Sequence, residues 1–189
     1  MSRLKVAVAF TVLAAAAVLI VGRYLMAVQA STRGEQSAAC SVLRGQPLQA
    51  DAPSFSLKDL RGQQHSLEEL RGKVVLLNFW FTGCPPCIEE LPSLVELRRR
   101  LADRPFALLT VSVDESADEV KEFLKKHKIS ERELPILLDP SKKVPSMFGT
   151  SKFPETFLID TQGVVRQKFV YKRDWASSTS LTCIGSLMR

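Results

Sequence analysis

Residues 73–87 read KVVLLNFWFTGCPPC, an apolar run followed by two cysteines. The run from Lys73 to Trp80 has the length of a strand and shows no alternation of apolar and polar side chains. A strand that is apolar on both faces belongs in the middle of a sheet covered on both sides. After Cys84, apolar side chains recur at helical spacing to about Ala102. The stretch therefore predicts a central strand and a helix that begins at the cysteine pair.

Further elements are predicted on both sides of this unit. Upstream, residues 55–66 form a hairpin pattern, and a short helical turn that Gly72 ends follows it. Downstream, the pattern predicts strands and helices in alternation: a strand over 106–113, a helix over 116–128, two strands over 156–160 and 164–170, and a helix over 178–188. This order predicts an α/β fold whose central mixed sheet has parallel strands joined by helices and an antiparallel pair at the end.

The composition is that of one globular domain with an appendage. The chain has 189 residues, 46% hydrophobic and 24% charged, which excludes a disordered or low-complexity protein. Its net charge of +6 suggests an acidic partner, but three of the basic residues lie in the first thirty positions, which contain no acid. The compact basic run Arg98–Arg100 is typical of a solvated helix end. We therefore expect no nucleic-acid partner.

The N-terminus has the pattern of a targeting segment. Arg3 and Lys5 precede the uncharged stretch from Val6 to Gly22. Such a stretch is either a cleaved signal peptide, with a site after Ala30, or a signal anchor. Because the cleavage site is late and imperfect, the pattern favours the anchor. Lipidation at Cys40 is disfavoured, since charged residues separate that cysteine from the apolar stretch.

These features divide the chain into three parts. Residues 1–30 are the predicted signal anchor or signal peptide, 31–50 a polar tether, and 51–189 the folded domain. We expect a single-pass protein of the cell inner membrane whose domain faces the periplasm, or a periplasmic protein if the segment is cleaved.

Cys84 and Cys87 have the spacing of a redox pair. Two cysteines three positions apart at the start of a helix can close a small disulfide ring, and Pro85 and Pro86 are tolerated there because the first helical N–H groups lack partners. The helix dipole lowers the pKa of the Cys84 thiol and makes it the attacking sulfur. Cys87, one turn further, is then the resolving thiol. The pair predicts dithiol–disulfide exchange.

Such a cysteine pair has other possible uses. A zinc site needs a second ligand pair, and the remaining cysteines and histidines show no paired spacing, so no metal site is predicted. A purely structural disulfide this small closes little loop entropy. An exported thiol peroxidase of the redoxin or AhpC/TSA type, or a metallochaperone on the same fold, remains the alternative function. For Cys40 and Cys183, free thiols, a mutual disulfide and an intermolecular link are all open.

Three motifs resemble the thioredoxin superfamily, and within it the membrane-anchored TlpA/ResA/CcmG-like thiol–disulfide oxidoreductases. They are FWFTGCPPC over 79–87, Pro92 five residues later, and FPETFLID over 153–160. The resemblance covers about residues 50–176. It implies a thioredoxin-like fold with the N-terminal hairpin as an extension.

The resemblance also implies roles for residues near the pair. Pro154 matches the family's cis-proline beside the disulfide, so Phe153 and Pro154 are expected to contact substrate and to keep metals off the thiols. We expect Trp80, Pro85 and Pro86 to contribute to the same substrate-binding surface.

Glu90 resembles the glutamate that tunes the thiols in the TlpA-like group. It lies three residues after Cys87 on one helix face, and we expect it to assist deprotonation of Cys87. Asn78 stands where thioredoxins proper have a buried aspartate. Gly83 stands where the family usually has tryptophan, which makes the rim of the site less apolar.

The resemblance completes the functional expectation. The protein is expected to be a monomeric protein-disulfide oxidoreductase without a dissociable cofactor, acting on disulfide-containing exported proteins such as apocytochrome c. Its electrons are expected from a membrane thiol carrier.

Overall fold

The computed structural model describes residues 13–26, 38 and 40–188, and the chain divides into two compact units, Met1–Ala38 and Ala39–Arg189. In the first unit residues 13–26 are helical. Among the helices in the described ranges, none combines the length and the apolar character needed to cross a membrane. The segment predicted over residues 1–30 lies partly outside those ranges.

The second unit is an α/β fold built on one sheet. Its eight strands are β1 Gln46–Asp51, β2 Ser56–Asp59, β3 Gln64–Ser66, β4 Val74–Trp80, β5 Phe106–Ser112, β6 Ile136–Leu138, β7 Glu155–Ile159 and β8 Val164–Val170. Its helices are α1 Pro85–Arg100, α2 Ala117–His127, α3 Lys143–Met147 and α4 Ser178–Gly185, with a 3₁₀ turn at Glu68–Leu70.

The sheet order is β1-β8-β7-β4-β5-β6-β2-β3, with β4 near the middle. Strands β4, β5 and β6 are parallel, whereas β7 pairs antiparallel with β4, and β8 with β7. The predicted hairpin over 55–66 is confirmed as the antiparallel pair β2 and β3. The mixed sheet and the thioredoxin-like arrangement are as expected.

Every residue of β4 is buried, which explains its uninterrupted apolar sequence. Alternate side chains reach opposite faces of the sheet, so Leu76 and Trp80 join the core under α1, α2 and α4, while Leu77 and Phe79 join the core on the other face. Asn78 has the same parity as Leu76, and its side chain accordingly points to the face that α1 covers.

The predicted tether over 31–50 is wrong for residues 40–50. Strand β1 pairs antiparallel with β8 at one edge of the sheet, and Cys40 forms a disulfide with Cys183 in α4. The stretch resembled a tether because every residue of β1 is exposed, so the strand shows no apolar face. The folded unit therefore begins well before residue 51.

Two other elements were missed, and the predicted end of the last helix is displaced. Strand β6 and helix α3 lie between α2 and β7, where no regular element was expected. The final helix ends at Gly185, three residues earlier than predicted. These elements are short, which leaves too few residues for a period of 2.0 or 3.6 to become visible.

Candidate active site

Cys84 and Cys87 form a disulfide at the junction between β4 and α1. Cys84 is the N-cap of α1, its Sγ accepts a hydrogen bond from the Cys87 backbone N–H at 3.3 Å, and Pro85 opens the helix. Cys84 is 4% exposed and Cys87 fully buried. The first cysteine therefore faces the positive pole of the helix and has the only solvent access within the pair.

The loop between β4 and Cys84 is held from the neighbouring strand. Both the backbone N–H and the hydroxyl of Thr82 donate to the Asp114 carboxylate, at 3.0 and 2.7 Å to Oδ1. The Ser112 hydroxyl donates to Oδ2 of the same carboxylate at 2.6 Å. These bonds fix the entry to α1, although Gly83 itself is exposed.

The peptide bond between Phe153 and Pro154 is cis. It directly precedes β7, whose first residue Glu155 pairs with Phe79 near the end of β4. The peptide bond therefore lies at the same end of the strands as the cysteines. The ring of Phe153 packs edge-on against Phe81 with centroids 5.5 Å apart. The geometry thus brings the predicted proline to the cysteine loop.

Glu90 is 2% exposed and lies one turn after Cys87 in α1. Three N–H groups donate to its carboxylate: the Asn78 side-chain amide at 2.7 Å, the Arg173 backbone at 3.1 Å and the Trp175 indole at 3.1 Å. Asn78 also donates to Thr156 Oγ1, its partner across the sheet, at 2.9 Å. Glu90 is therefore a buried, oriented group and not a solvated one like its neighbour Glu89.

Burial raises the pKa of Glu90 to about 7, although the hydrogen bonds from Arg173, Asn78 and Trp175 act in the opposite direction. A buried carboxylate loses the hydration of its charged form, and here that loss outweighs the donors. The carboxyl group can therefore exchange a proton near neutral pH, which an exposed glutamate would not do.

The structure corrects one predicted site residue. Trp80 was expected to contact substrate, but it is fully buried and packs against Phe123 with ring centroids 5.6 Å apart. Its position in β4 places its side chain in the core, so it supports the site through packing. Pro85 is exposed and Pro86 half-buried, as a substrate-facing rim requires.

Two partners of Glu90 were not foreseen from the sequence. Trp175 and Arg173 are more than eighty residues further along the chain and follow β8. The signal that could have found Trp175 is a lone tryptophan in a polar segment, which often buries an indole N–H against an acceptor. Among the described residues no cluster of three or more His, Cys, Asp or Glu side chains could hold a metal ion.

Known proteins resemble this chain in sequence. The profile of the AhpC/TSA family matches residues 48–168. The thiol-disulfide oxidoreductase ResA of Bacillus cereus is 33% identical over 120 residues, which cover 64% of this chain and 68% of the relative. The thioredoxin-like protein YneN of Bacillus subtilis is 36% identical over 118 residues, which cover 61% and 66%.

A solved structure shows the same architecture. The thiol:disulfide interchange protein, a thioredoxin family protein from Chlorobium tepidum, superposes with a TM-score of 0.62 at 28% identity. The alignment covers 75% of this chain and 99% of that one. The fold similarity therefore extends over nearly the whole of that chain.

Proposed function

Since the chain belongs to the AhpC/TSA family and is a thiol–disulfide oxidoreductase of the thioredoxin superfamily, we propose that it reduces disulfides in exported proteins through Cys84 and Cys87. The observation that carries this proposal is the position of Cys84. It caps α1, accepts the Cys87 N–H and has the only solvent access in the pair. A thiolate is stabilised at such a helix N-terminus.

The reaction is two successive exchanges. The Cys84 thiolate attacks one sulfur of the substrate disulfide, and the other substrate sulfur leaves as a thiolate that takes up a proton. The Cys87 thiolate then attacks Cys84 Sγ, which releases the second substrate thiol and closes the Cys84–Cys87 disulfide. Two electrons pass from the protein to the substrate, and a donor must later return them.

Glu90 is proposed to assist the second exchange. Cys87 is fully buried and must lose its proton to attack the mixed disulfide. The Glu90 carboxyl lies one turn along the same helix and has a pKa of about 7, so near neutral pH its ionised form is available to accept that proton. Phe153, Pro154, Pro85 and Pro86 are proposed to contact the substrate chain. Pro85 is exposed, and Phe153 and Pro86 are half-buried, whereas Pro154 is buried and is proposed to contribute through the cis backbone that it shares with Phe153.

Family resemblance supports the finer assignment. We propose apocytochrome c and other exported cysteine proteins as substrates, a membrane thiol carrier as the electron donor, and an extracytoplasmic location fixed by the N-terminal segment. The basic residues before an uncharged stretch at residues 6–22 support export.

A trapping experiment tests the proposal. The Cys87→Ala variant cannot resolve the mixed disulfide, so Cys84 should remain covalently linked to its substrates. Non-reducing electrophoresis and mass spectrometry of the trapped species should identify exported proteins. The Cys84→Ala/Cys87→Ala variant is the matched control and should trap none. Trapping of no exported protein would overturn the proposed task, and peroxide consumption that survives in Cys87→Ala would indicate a peroxidase.

A further inference from the structure

An exposed face lies directly beside the cysteine site. Val42, Arg44, Tyr171 and Arg173 line a shallow depression there, which we term the Arg44 face. Val42 is 72% and Tyr171 55% exposed, which is unusual for apolar and aromatic side chains in a folded unit. The mechanism above involves only the backbone N–H of Arg173, and none of these four side chains takes part in it.

The face is continuous with the active site. The Tyr171 backbone N–H donates to the carbonyl oxygen of Pro154 at 2.9 Å, so the ring leaves the chain beside the cis-proline. The next residue, Lys172, pairs with Glu89 of α1, and the backbone N–H after that donates to Glu90. A chain bound at Pro154 would therefore meet the Arg44 face next.

The charge on this face has one sign. Arg44 and Arg173 supply two guanidinium groups, and no Asp or Glu is among the described residues that line the depression. Burial is the main cause that lowers the pKa of Arg173, and the nearby charge of Arg44 acts in the same direction, against the attraction of Glu90. The two cations thus repel each other, and an anionic partner would relieve that repulsion.

The Cys40–Cys183 disulfide holds this face in place. It fixes a tight turn in which the Gly45 N–H donates to the Cys40 carbonyl at 3.0 Å and the Arg44 N–H to Ser41 at 2.8 Å. The Leu43 carbonyl in that turn accepts the Arg173 Nε–H at 2.9 Å. A Cβ at Gly45 would come within 2.7 Å of the Phe169 ring, so the turn lies tight against β8.

We propose that the Arg44 face binds an acidic segment of the substrate protein next to its disulfide. The apolar pair Val42 and Tyr171 gives contact area, and Arg44 and Arg173 give charge complementarity, which raises the association rate more than the final affinity. The proposal rests on the proposed disulfide reduction and adds a preference among its substrates. The second disulfide then has a role in recognition, because it builds part of the surface that substrates meet.

The test compares two synthetic peptides with one disulfide each, identical except for glutamates or lysines beside the cysteines. Full-length reduced protein in detergent is mixed with each peptide, and acid quenching, alkylation and mass spectrometry give the second-order rate constant. At low salt we expect the acidic peptide to react about tenfold faster. Arg44→Glu should remove that preference without slowing the lysine peptide, and 0.5 M salt should weaken it.

Two further variants complete the design. Arg104→Glu makes the same charge change at an exposed site before β5, at the end of the strands opposite to the cysteines, and should retain the preference. Tyr171 has a φ of 72°, so Tyr171→Asn removes the ring with a residue that tolerates this conformation. It should slow both peptides, since the lost contact is apolar.

The outcomes separate the two proposals. If neither peptide is reduced, disulfide reduction itself fails. If both are reduced at equal rates, or if Arg44→Glu and Arg104→Glu change the ratio equally, the docking role is overturned. The role is also overturned if Arg44→Glu lowers binding to anionic phospholipid vesicles but leaves the peptide ratio unchanged, because the face would then bind a membrane.

Discussion

Cys84 and Cys87 are three residues apart at the start of one helix, whereas Cys40 and Cys183 are 143 residues apart and join the start of the second unit to α4. The exposed fraction of the more accessible cysteine in each pair hardly differs, at 4% for Cys84 and 3% for Cys40. What differs is the surroundings. The first pair lies at a helix N-terminus near the cis-proline and has a buried carboxyl one turn away, whereas the second joins the start of the folded unit to α4 within the same apolar core.

The comparison teaches that accessibility alone does not make a disulfide reactive. A thiolate needs groups that stabilise its charge, and its partner needs a proton acceptor. The Cys84–Cys87 pair has both, and its short loop adds little chain entropy. The Cys40–Cys183 pair instead closes a loop of most of the chain, which is where a crosslink stabilises most. The two bonds therefore divide chemistry and stability between them.

The largest expected effect is on activity. Cys84→Ala removes the attacking sulfur and should reduce disulfide reduction to the background given by the external reductant, measured by insulin reduction with dithiothreitol. Cys40→Ala/Cys183→Ala keeps the helix-capping pair and should still catalyse the reaction. A Cys84→Ala variant that retains the wild-type rate would show that the second pair can perform the chemistry.

The second largest effect is on stability, where the Cys40–Cys183 pair should matter more than the Cys84–Cys87 pair. Loss of the 143-residue crosslink in Cys40→Ala/Cys183→Ala should lower the free energy of unfolding by about 5 kcal/mol on the chain-entropy estimate. Cys84→Ala/Cys87→Ala should cost only about 2 kcal/mol by the same relation. Denaturant unfolding of the oxidised proteins measures both. Equal losses in the two variants would contradict this division.

The sequence was most informative where the signal is local. The apolar run of β4 and the spacing of Cys84 and Cys87 each lie within a few residues, so they predicted the central strand, the helix start and the redox pair. Pro154 was found only through resemblance, because a lone proline before a strand is common. Glu90 was predicted by its resemblance to the family's glutamate and by its helical spacing from Cys87, but neither revealed the extent of its burial.

The missed features depend on contacts between distant parts of the chain. Strand β1 has no apolar face and exists because β8 offers a free edge. With Cys84 and Cys87 paired, sequence spacing could not decide whether Cys40 and Cys183 stay free, pair with each other or link to another molecule. The Trp175 bond to Glu90 spans 85 residues. Trp80 was misassigned because it lies close to the cysteine loop in sequence. The alternation of side chains along β4 instead directs its ring into the core.

The third effect concerns the carboxyl group behind the reactive pair. Because its pKa of about 7 in the folded state exceeds the ordinary value of 4.5, protonated Glu90 favours folding, and its full contribution is present below pH 4.5. That contribution is lost as the pH rises through about 7, and amounts to about 3 kcal/mol. Glu90→Gln should therefore flatten the fall in unfolding free energy between pH 4.5 and 7.

Glu89→Gln is the matched control, since it makes the same change at the exposed neighbouring position. Urea unfolding of the oxidised proteins at a series of pH values gives the slopes. The Glu89→Gln slope should equal that of wild type. If Glu90→Gln retained the wild-type slope, the buried carboxyl would not be the titrating group. Glu90 would then not serve as the proton acceptor that distinguishes the Cys84–Cys87 pair.

The smallest expected effect tests which hydrogen bond helps to set the pKa of Glu90. The Trp175 indole donates to Glu90 Oε2 at 3.1 Å and so stabilises the ionised carboxylate. Trp175→Phe keeps an aromatic ring against Phe169 but removes the donor, so the pKa of Glu90 should rise further, by about one unit. The ¹³C chemical shift of the Glu90 carboxyl group, followed against pH, measures this directly and does not depend on global stability.

Trp80→Phe is the matched control for this change. Trp80 is equally buried, and its indole N–H has no hydrogen-bond partner within the part of the chain that the structure describes. The substitution removes the same atoms from the core but no donor to Glu90, so the carboxyl titration should stay at the wild-type midpoint. A common shift in both variants would assign the effect to looser packing. A shift in Trp175→Phe alone would show that a residue after β8 helps set the proton affinity of the carboxyl behind Cys87.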